Sequence, residues 1–152
     1  MAVKLELYLD TSVISAYVDD RDPVRQETTR RFWLELPHYA AHICPIVLDE
    51  IANTPDTARR DEMLALARSL IVLPWQEEME RLAEAYVAQG AFTPLLIQDA
   101  RHVAAAVVGG IPILLSWNFR HLVNRTRRIR VNLVNSERGY EQIEIIAPPE
   151  LV

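Results

Sequence analysis

Short apolar segments alternate with longer amphipathic segments along the whole chain, and this alternation limits the possible folds more than any other feature. The apolar segments have the length and the bounding turn residues of β-strands. Strands are predicted at Leu5–Leu9, Ala41–Pro45, Leu70–Leu73, Pro112–Ser116 and Gln142–Ile146. Strands that alternate with helices are typical of a mainly parallel sheet with helices on both faces. The predicted fold class is therefore α/β, with Leu70–Leu73 expected to be buried.

The segments between these strands have the spacing of apolar residues expected of helices, and several end at proline or glycine. Gly90 follows the segment Gln76–Gln89, at a position where helices commonly end. The other helices are predicted at Val13–Val18, Val24–Leu36, Pro55–Arg68, Leu95–Gly109 and His121–Glu137, with one more that starts at Ile46. A chain of 152 residues is long enough to bury a core, so we expect residues 1–152 to form a single domain.

Composition favours a cytoplasmic protein. The chain has one cysteine, Cys44, which excludes an intrachain disulfide framework, and its apolar neighbours predict a buried and inert thiol. The longest apolar run, Val103–Leu115, is too short to span a bilayer, and no signal peptide is apparent at the N-terminus. A net charge of −5 argues against a surface coated with phosphate-binding lysines, although a local basic patch is still compatible with it.

Three carboxylates fall at the ends of predicted elements. Asp10 ends the first strand, Glu50 follows the second strand, and Asp99 opens a helix. Each has a purely structural alternative. Asp10 is a good helix N-cap, Asp99 is favoured by the helix dipole, and Asp49 or Glu50 fits a solvated helix face. The sequence positions of the single acids leave these alternatives open.

Taken together, the three acids favour a metal site. The carboxyl ends of parallel strands are where ligands bind in open α/β sheets, so acids at these ends are expected to converge. Mg²⁺ and Mn²⁺ prefer oxygen ligands and need neither cysteine nor a histidine cluster. Like charges held close together repel one another, and a divalent cation makes such a cluster tolerable.

Four motifs of this chain resemble those of the PIN domain family, the VapC-like ribonucleases of toxin–antitoxin pairs. They occur in the family's order and spacing and cover nearly the whole chain: Tyr8–Ser15, Val47–Ile51, Asp99–Ala106 and Leu114–Leu122. The later stretch Val131–Ile145 also resembles one subgroup of the family. The resemblance implies a single PIN-like α/β domain that cleaves RNA and leaves a 5′-phosphate and a 3′-hydroxyl.

The resemblance also assigns the site residues. It implies that Asp10, Glu50 and Asp99 hold Mg²⁺ or Mn²⁺, that Ser12 braces Asp10, and that a metal-bound water attacks the scissile phosphate. Glu50 is preferred over Asp49 because an aliphatic residue follows it directly. The family often has a further acid where this chain has Asn118. The resemblance thus places Asn118 in the catalytic site, where an amide oxygen can ligate a metal or bind a metal-bound water but brings no charge. Expected partners are an RNA substrate, a small antitoxin and a second copy of the chain.

The only concentrated basic segment follows Asn118. Its members proposed to bind the RNA backbone are Arg120, Arg125, Arg127 and Arg128. The alternative interpretation is a solvated helix face. His102, one turn after Asp99, is interpreted as a packed or capping histidine rather than a catalytic base, since a metal-bound water needs no histidine.

Other functions stay open at this point. A PIN nuclease of RNA maturation or decay has no antitoxin, and a catalytically weak PIN module binds only RNA or protein, an alternative motivated by Asn118. A flavodoxin-like or phosphatase domain is disfavoured, because no glycine-rich phosphate loop follows the first strand.

Overall fold

The computed structural model describes residues 3–152 and contains a five-stranded sheet in which every strand pair is parallel. The strands are β1 (Leu5–Leu9), β2 (Tyr39–Ile43), β3 (Ile71–Val72), β4 (Ile113–Leu115) and β5 (Glu144–Ile146). They lie in the order β3-β2-β1-β4-β5. The predicted α/β class, with a parallel sheet and helices on both of its faces, is confirmed.

Seven α-helices connect and cover these strands within residues 3–152. They are α1 (Thr11–Val18), α2 (Pro23–Leu34), α3 (Pro45–Ala52), α4 (Thr57–Ala67), α5 (Glu77–Ala88), α6 (Ile97–Val108) and α7 (Arg125–Glu137). Gly90, with a φ of 80°, follows α5 as predicted. Short 3₁₀ turns occur at Leu36–His38, Pro94–Leu96 and Pro148–Glu150. No helix in this part of the chain is both long and apolar enough to cross a membrane.

Helix α7 starts four residues later than predicted. The stretch predicted to begin it at His121 is instead a turn, in which the N–H groups of Leu122 and Val123 both donate to the carbonyl of Asn118. The helix begins only after Asn124, whose side chain accepts the N–H of Arg127 as an N-cap. Local capping therefore sets this boundary, which the apolar periodicity alone does not mark.

The centre of the sheet is buried on both sides. Leu7, Tyr8 and Leu9 of β1 are fully buried. The side chains of β4 are fully or almost fully buried. The prediction that Leu70–Leu73 forms a buried strand is wrong, because Ile71 and Val72 are 51% and 44% exposed. Strand β3 lies at the sheet edge and pairs with β2 over only two residues, so only one side of it is covered by a neighbouring strand.

Strand β1 lies where the strand order reverses, with β2 on one side and β4 on the other. The carboxyl ends of strands at such a point border a crevice. The backbone N–H of Asp10 donates to the carbonyl of Leu115 at 3.0 Å, so the residues that follow β1 and β4 are held side by side. This crevice is where the topology positions Asp10 and the segment that starts at Ser116.

Candidate active site

The Asp10 carboxylate is buried and held by two hydroxyl groups. Asp10 occupies the N-cap position of α1, but its side chain makes no capping hydrogen bond. Its Oδ2 instead accepts the hydroxyls of Ser12, at 2.9 Å, and of Ser116, at 2.7 Å. Ser12 thus contacts Asp10 as expected, whereas Ser116 was not anticipated. The purely structural alternative, a side-chain N-cap, does not describe Asp10.

The two serines also connect Asp10 to the end of β4. Ser12 Oγ accepts the backbone N–H of Trp117, and Ser116 Oγ accepts that of Asn118, both at 2.9 Å. Each hydroxyl has one proton, and in this arrangement both protons are directed at Oδ2 of Asp10. The other carboxylate oxygen, Oδ1, lies 3.8 Å from His102 Nε2. Asp10 is therefore oriented rigidly, with one oxygen available for a ligand.

Glu50 lies next to this carboxylate on α3. Its Oε1 accepts the Thr11 hydroxyl at 3.2 Å and the His102 Nε2–H at 2.5 Å. Its side chain is 37% exposed, so it lies at the mouth of the crevice. Asp49, the neighbouring acid on the same helix, is exposed. Of these two acids it is thus Glu50 that contacts residues around Asp10.

His102 is fully enclosed between β1 and the acids. Its Nδ1 lies 2.8 Å from the hydroxyl of Tyr8, which in turn lies 3.0 Å from the Cys44 sulfur. Burial alone lowers the pKa of the imidazole, but its interactions with Cys44 and Glu50 outweigh burial and raise it to about 10. The ring therefore carries a positive charge at neutral pH and balances part of the acidic charge around it.

His102 is packed, as the sequence-based interpretation expects, with 1% of its surface exposed. It also contacts Glu50 directly, a contact that the sequence analysis does not predict. The spacing of His102 from Asp99 could have indicated that His102 lies near the acids. Residues three apart on a helix lie on the same face, so His102 faces the same side of α6 as Asp99. Cys44 is buried as predicted.

Asp99 completes the acidic group from the first turn of α6. Its side chain is half-buried, and among residues 3–152 it makes no hydrogen bond. Burial raises the pKa of its carboxyl group, and the negative charge of Asp10 raises it further. Asp99 therefore lies within electrostatic reach of Asp10, in a place where a cation stabilises the ionised form.

The acids suit a hard divalent cation by their chemistry more than by their present geometry. Within the described residues no three His, Cys, Asp or Glu side chains converge closely enough to hold a metal ion. Glu50 Oε1 is already hydrogen bonded to His102. Asp10 Oδ1 and both oxygens of Asp99 are free of hydrogen bonds within residues 3–152. Three oxygen donors that repel one another fit Mg²⁺ or Mn²⁺.

Asn118 is half-buried beside Ser116, at the position where the PIN-like motif often has a further acid. Its Oδ1 accepts the backbone N–H of His121 at 2.9 Å, so the amide closes the turn that precedes α7. One acceptor position of this oxygen is thus already used, and the residue adds no negative charge to the acidic group.

The four arginines proposed to bind RNA separate into two pairs. The Arg127 guanidinium donates to the carbonyls of Ala91 and His121 and lies 4.3 Å from the centre of the Phe92 ring. Arg128 donates to the carbonyl of Ile145 at 3.1 Å. Both are half-buried and serve packing, whereas the remaining pair, Arg120 and Arg125, is exposed.

Comparison with known proteins identifies the family. The family model of the PIN domain matches residues 7–123. No curated protein sequence matches this chain.

Three solved structures are similar over most of their lengths. VapC20 of Mycobacterium tuberculosis, described as a sarcin–ricin loop cleaving toxin, is 17% identical with a TM-score of 0.61, over 90% of this chain and 98% of that one. VapBC2 of Rickettsia felis, bound to a DNA fragment from its promoter, is 10% identical with a TM-score of 0.60, over 94% and 98%. FitAcB of Neisseria gonorrhoeae is 14% identical with a TM-score of 0.60, over 93% and 97%. At these identities the similarity establishes a shared fold.

Proposed function

This chain belongs to the PIN domain family, and from that premise we propose that it is a Mg²⁺- or Mn²⁺-dependent endoribonuclease, the toxin of a VapBC-type toxin–antitoxin pair. The observation that supports this most directly is the Asp10 carboxylate. It lies at the carboxyl end of the central strand, braced by the hydroxyls of Ser12 and Ser116. Two further acids, Glu50 and Asp99, are close enough for their charges to act on one another.

We assign Asp10, Glu50 and Asp99 as the residues that hold the cation. When bound, a divalent ion lowers the pKa of a coordinated water and offsets charge on the attacking and leaving oxygens of the phosphodiester. Ser12 and Ser116 keep the Asp10 carboxylate in one orientation, which reduces the cost of organising the site. His102, hydrogen bonded to Glu50, orients that carboxylate in the same way.

The neighbouring structures support the choice of substrate and partner. VapC20 is described as a sarcin–ricin loop cleaving toxin, and VapBC2 is described as bound to a DNA fragment from its promoter. By this likeness we propose an RNA substrate and a small antitoxin for the present chain. We further propose that it acts as a homodimer in the cytoplasm, where its single buried thiol, Cys44, suits a reducing compartment.

The decisive experiment is RNA cleavage by the purified protein with Mg²⁺ or Mn²⁺, and with EDTA. We expect cleavage only with the metal, and we expect Asp10→Asn to abolish it while the thermal unfolding transition is retained. Asp61→Asn serves as the control, because Asp61 is an exposed acid on α4. Equal cleavage by Asp10→Asn and the parent contradicts the assigned site.

A second candidate function is a PIN module that binds RNA or protein with little or no catalysis. The observation in its favour is Asn118, which adds no charge and whose amide oxygen already accepts the His121 N–H. RNA binding without metal-dependent cleavage supports this alternative. Cleavage in the absence of an adjacent antitoxin gene supports instead a PIN nuclease of RNA maturation or decay.

A further inference from the structure

A cleft of about 850 Å³ opens beside the acidic group, between the end of β4 and helices α1 and α2. Ser12 and Asn118 line its inner end, and Phe119 and Arg120 line its rim. Ser12 also donates to Asp10, so the cleft begins one side chain away from the proposed catalytic carboxylate. Its volume lies in the range of small-ligand sites, about 300–1,000 Å³.

The wall of this cleft is aromatic. Trp117 forms its base, with 7% of its surface exposed and its indole N–H donated to the Thr29 hydroxyl at 2.9 Å. Phe119 packs against Trp117, with the centres of the two rings 6.2 Å apart, and its side chain is 47% exposed. Single exposed apolar side chains are common and mean little alone. Here, however, the exposed ring is fixed on a buried one and faces a cleft that leads to the acids.

The cleft also carries a cation without an acidic partner. Two of its three arginines are paired, Arg21 with Asp19 at 2.9 Å and Arg25 with Asp22 at 3.4 Å. Among residues 3–152 no carboxylate lies within ion-pair distance of Arg120. A guanidinium of this kind is well suited to bind a phosphate.

We propose that this cleft binds one nucleotide of a single-stranded RNA next to the cleavage site, with its base stacked on Phe119 and a phosphate held by Arg120. The identification of the polymer as RNA rests on the proposed function. An exposed aromatic ring and an exposed cation on adjacent residues of one cleft match the base and the phosphate of a nucleotide.

Arg25 controls access to the ring. Its guanidinium carbon lies 5.2 Å from the centre of the Trp117 ring and 5.4 Å from that of Phe119. Its pairing with Asp22 is exposed, and exposed ion pairs contribute little to stability. Arg25 can therefore move aside, or cover the outer face of a base that stacks on Phe119, at low cost.

The test measures the binding of a labelled single-stranded RNA of eight nucleotides by fluorescence anisotropy. EDTA is present so that no metal-dependent cleavage occurs. We expect Phe119→Ala to raise the Kd about 5- to 150-fold, the loss that is typical of one stacked base. Phe119→Tyr, which keeps a flat ring, is expected to bind like the parent. Leu133→Ala is the matched control, because Leu133 is 60% exposed on α7 and does not line the cleft.

A second RNA series identifies the stacked base. An abasic ribose is placed at each position in turn, and at one position the effect of Phe119→Ala is expected to disappear, since the mutation and the missing base remove the same contact. For the phosphate, Arg120→Gln is expected to reduce the slope of log Kd against log salt by about 0.7, the value for one contact on a single strand. This second variant keeps the test valid if Phe119→Ala does not fold.

The outcomes separate this inference from the proposed function. If Phe119→Ala and Arg120→Gln bind RNA like the parent, or if the parent binds none, the inference is wrong, and metal-dependent cleavage is judged independently. If both variants lose binding while the parent shows no cleavage, the nucleotide site stands and the proposed function is wrong. Weakened binding together with metal-dependent cleavage by the parent supports both.

Discussion

The acidic group and the arginine-rich segment lie close together at the same edge of the sheet, yet their side chains are used in opposite ways. The hydrogen bonds around Asp10 hold one carboxylate oxygen and leave the other available. In the arginine-rich segment, Arg127 and Arg128 are bound to backbone carbonyls of other elements. A carboxylate oxygen of Asp10 is therefore available for a ligand. In the basic segment, two of the four arginines proposed to bind RNA, Arg127 and Arg128, are not available.

The comparison shows that a run of like charges does not by itself locate a binding surface. Arg127 fills a gap between α7 and the loop after α5, where its guanidinium stacks on Phe92 and donates to Ala91. Burial lowers the pKa of this guanidinium, whereas the charge of Asp99 raises it. Arg127 thus lies near the acidic group and compensates part of its charge. The cations left for RNA are the exposed ones, above all Arg120 and Arg125.

The largest expected effect separates two adjacent acids. Glu50→Gln is expected to reduce metal-dependent RNA cleavage at least about 100-fold, because it removes a charged ligand from the proposed cation. Asp49→Asn on the same helix is expected to stay within about twofold, because Asp49 is exposed and does not face the group. Initial cleavage rates at saturating Mn²⁺ measure both. Equal losses in the two variants would contradict the assignment of Glu50, rather than Asp49, as a ligand of the cation.

The next effect concerns the brace on Asp10. Ser116→Ala removes one of its two hydroxyl partners, and the Mg²⁺ or Mn²⁺ concentration for half-maximal cleavage is expected to rise about 10- to 100-fold. Ser116→Thr, which keeps a hydroxyl, is expected to restore much of the loss. Ser136→Ala, an exposed serine at the end of α7, is the control. An unchanged metal requirement in Ser116→Ala contradicts the role of this hydrogen bond.

For the basic segment, we expect stability rather than cleavage to respond to Arg127. Arg127→Ala breaks two charged hydrogen bonds and the stacking on Phe92, and is expected to lower the free energy of unfolding by about 1.5–3 kcal/mol. Urea denaturation of the metal-free protein measures this. Arg127→Lys is not expected to restore the loss, because an ammonium group cannot reproduce the flat, forked donor geometry. A variant as stable as the parent shows that the packing contacts of Arg127 carry little energy.

The smallest effect is expected at Arg125. Because its side chain is exposed, Arg125→Gln is expected to change the free energy of unfolding by no more than about 0.5 kcal/mol. If Arg125 contacts one phosphate, the slope of log Kd against log salt falls by about 0.7. Arg138→Gln, at the opposite end of α7, is the control and is expected to leave the slope unchanged. If Arg125→Gln does not change the slope of log Kd against log salt, Arg125 does not contact an RNA phosphate.

Several features of the fold and the site could be predicted from local sequence. The bounds of β1, Leu5–Leu9, were predicted correctly, because the pattern of apolar residues in a short strand is a property of neighbouring residues. The contact between Ser12 and Asp10 spans only two positions and was likewise accessible. The burial of Tyr8 on the other face of this strand was not, because it depends on what packs against the sheet. The exposure of β3 was not, because whether a strand lies at an edge depends on the order of strands in the sheet.

The pattern of residues along the chain predicts most of the strands and helices, with Asp10 directly after β1, Glu50 on the helix that follows β2 and Asp99 in the first turn of α6. Which side chains surround these acids depends on how the sheet and the helices pack. Ser116 reaches Asp10 across 106 positions, and His102 reaches Glu50 across 52. Such contacts exist only because β4 lies beside β1 and because α6 packs over the carboxyl end of the sheet. Periodicity and motifs describe neighbours along the chain, whereas the selection of partners is a property of the packed sheet and helices.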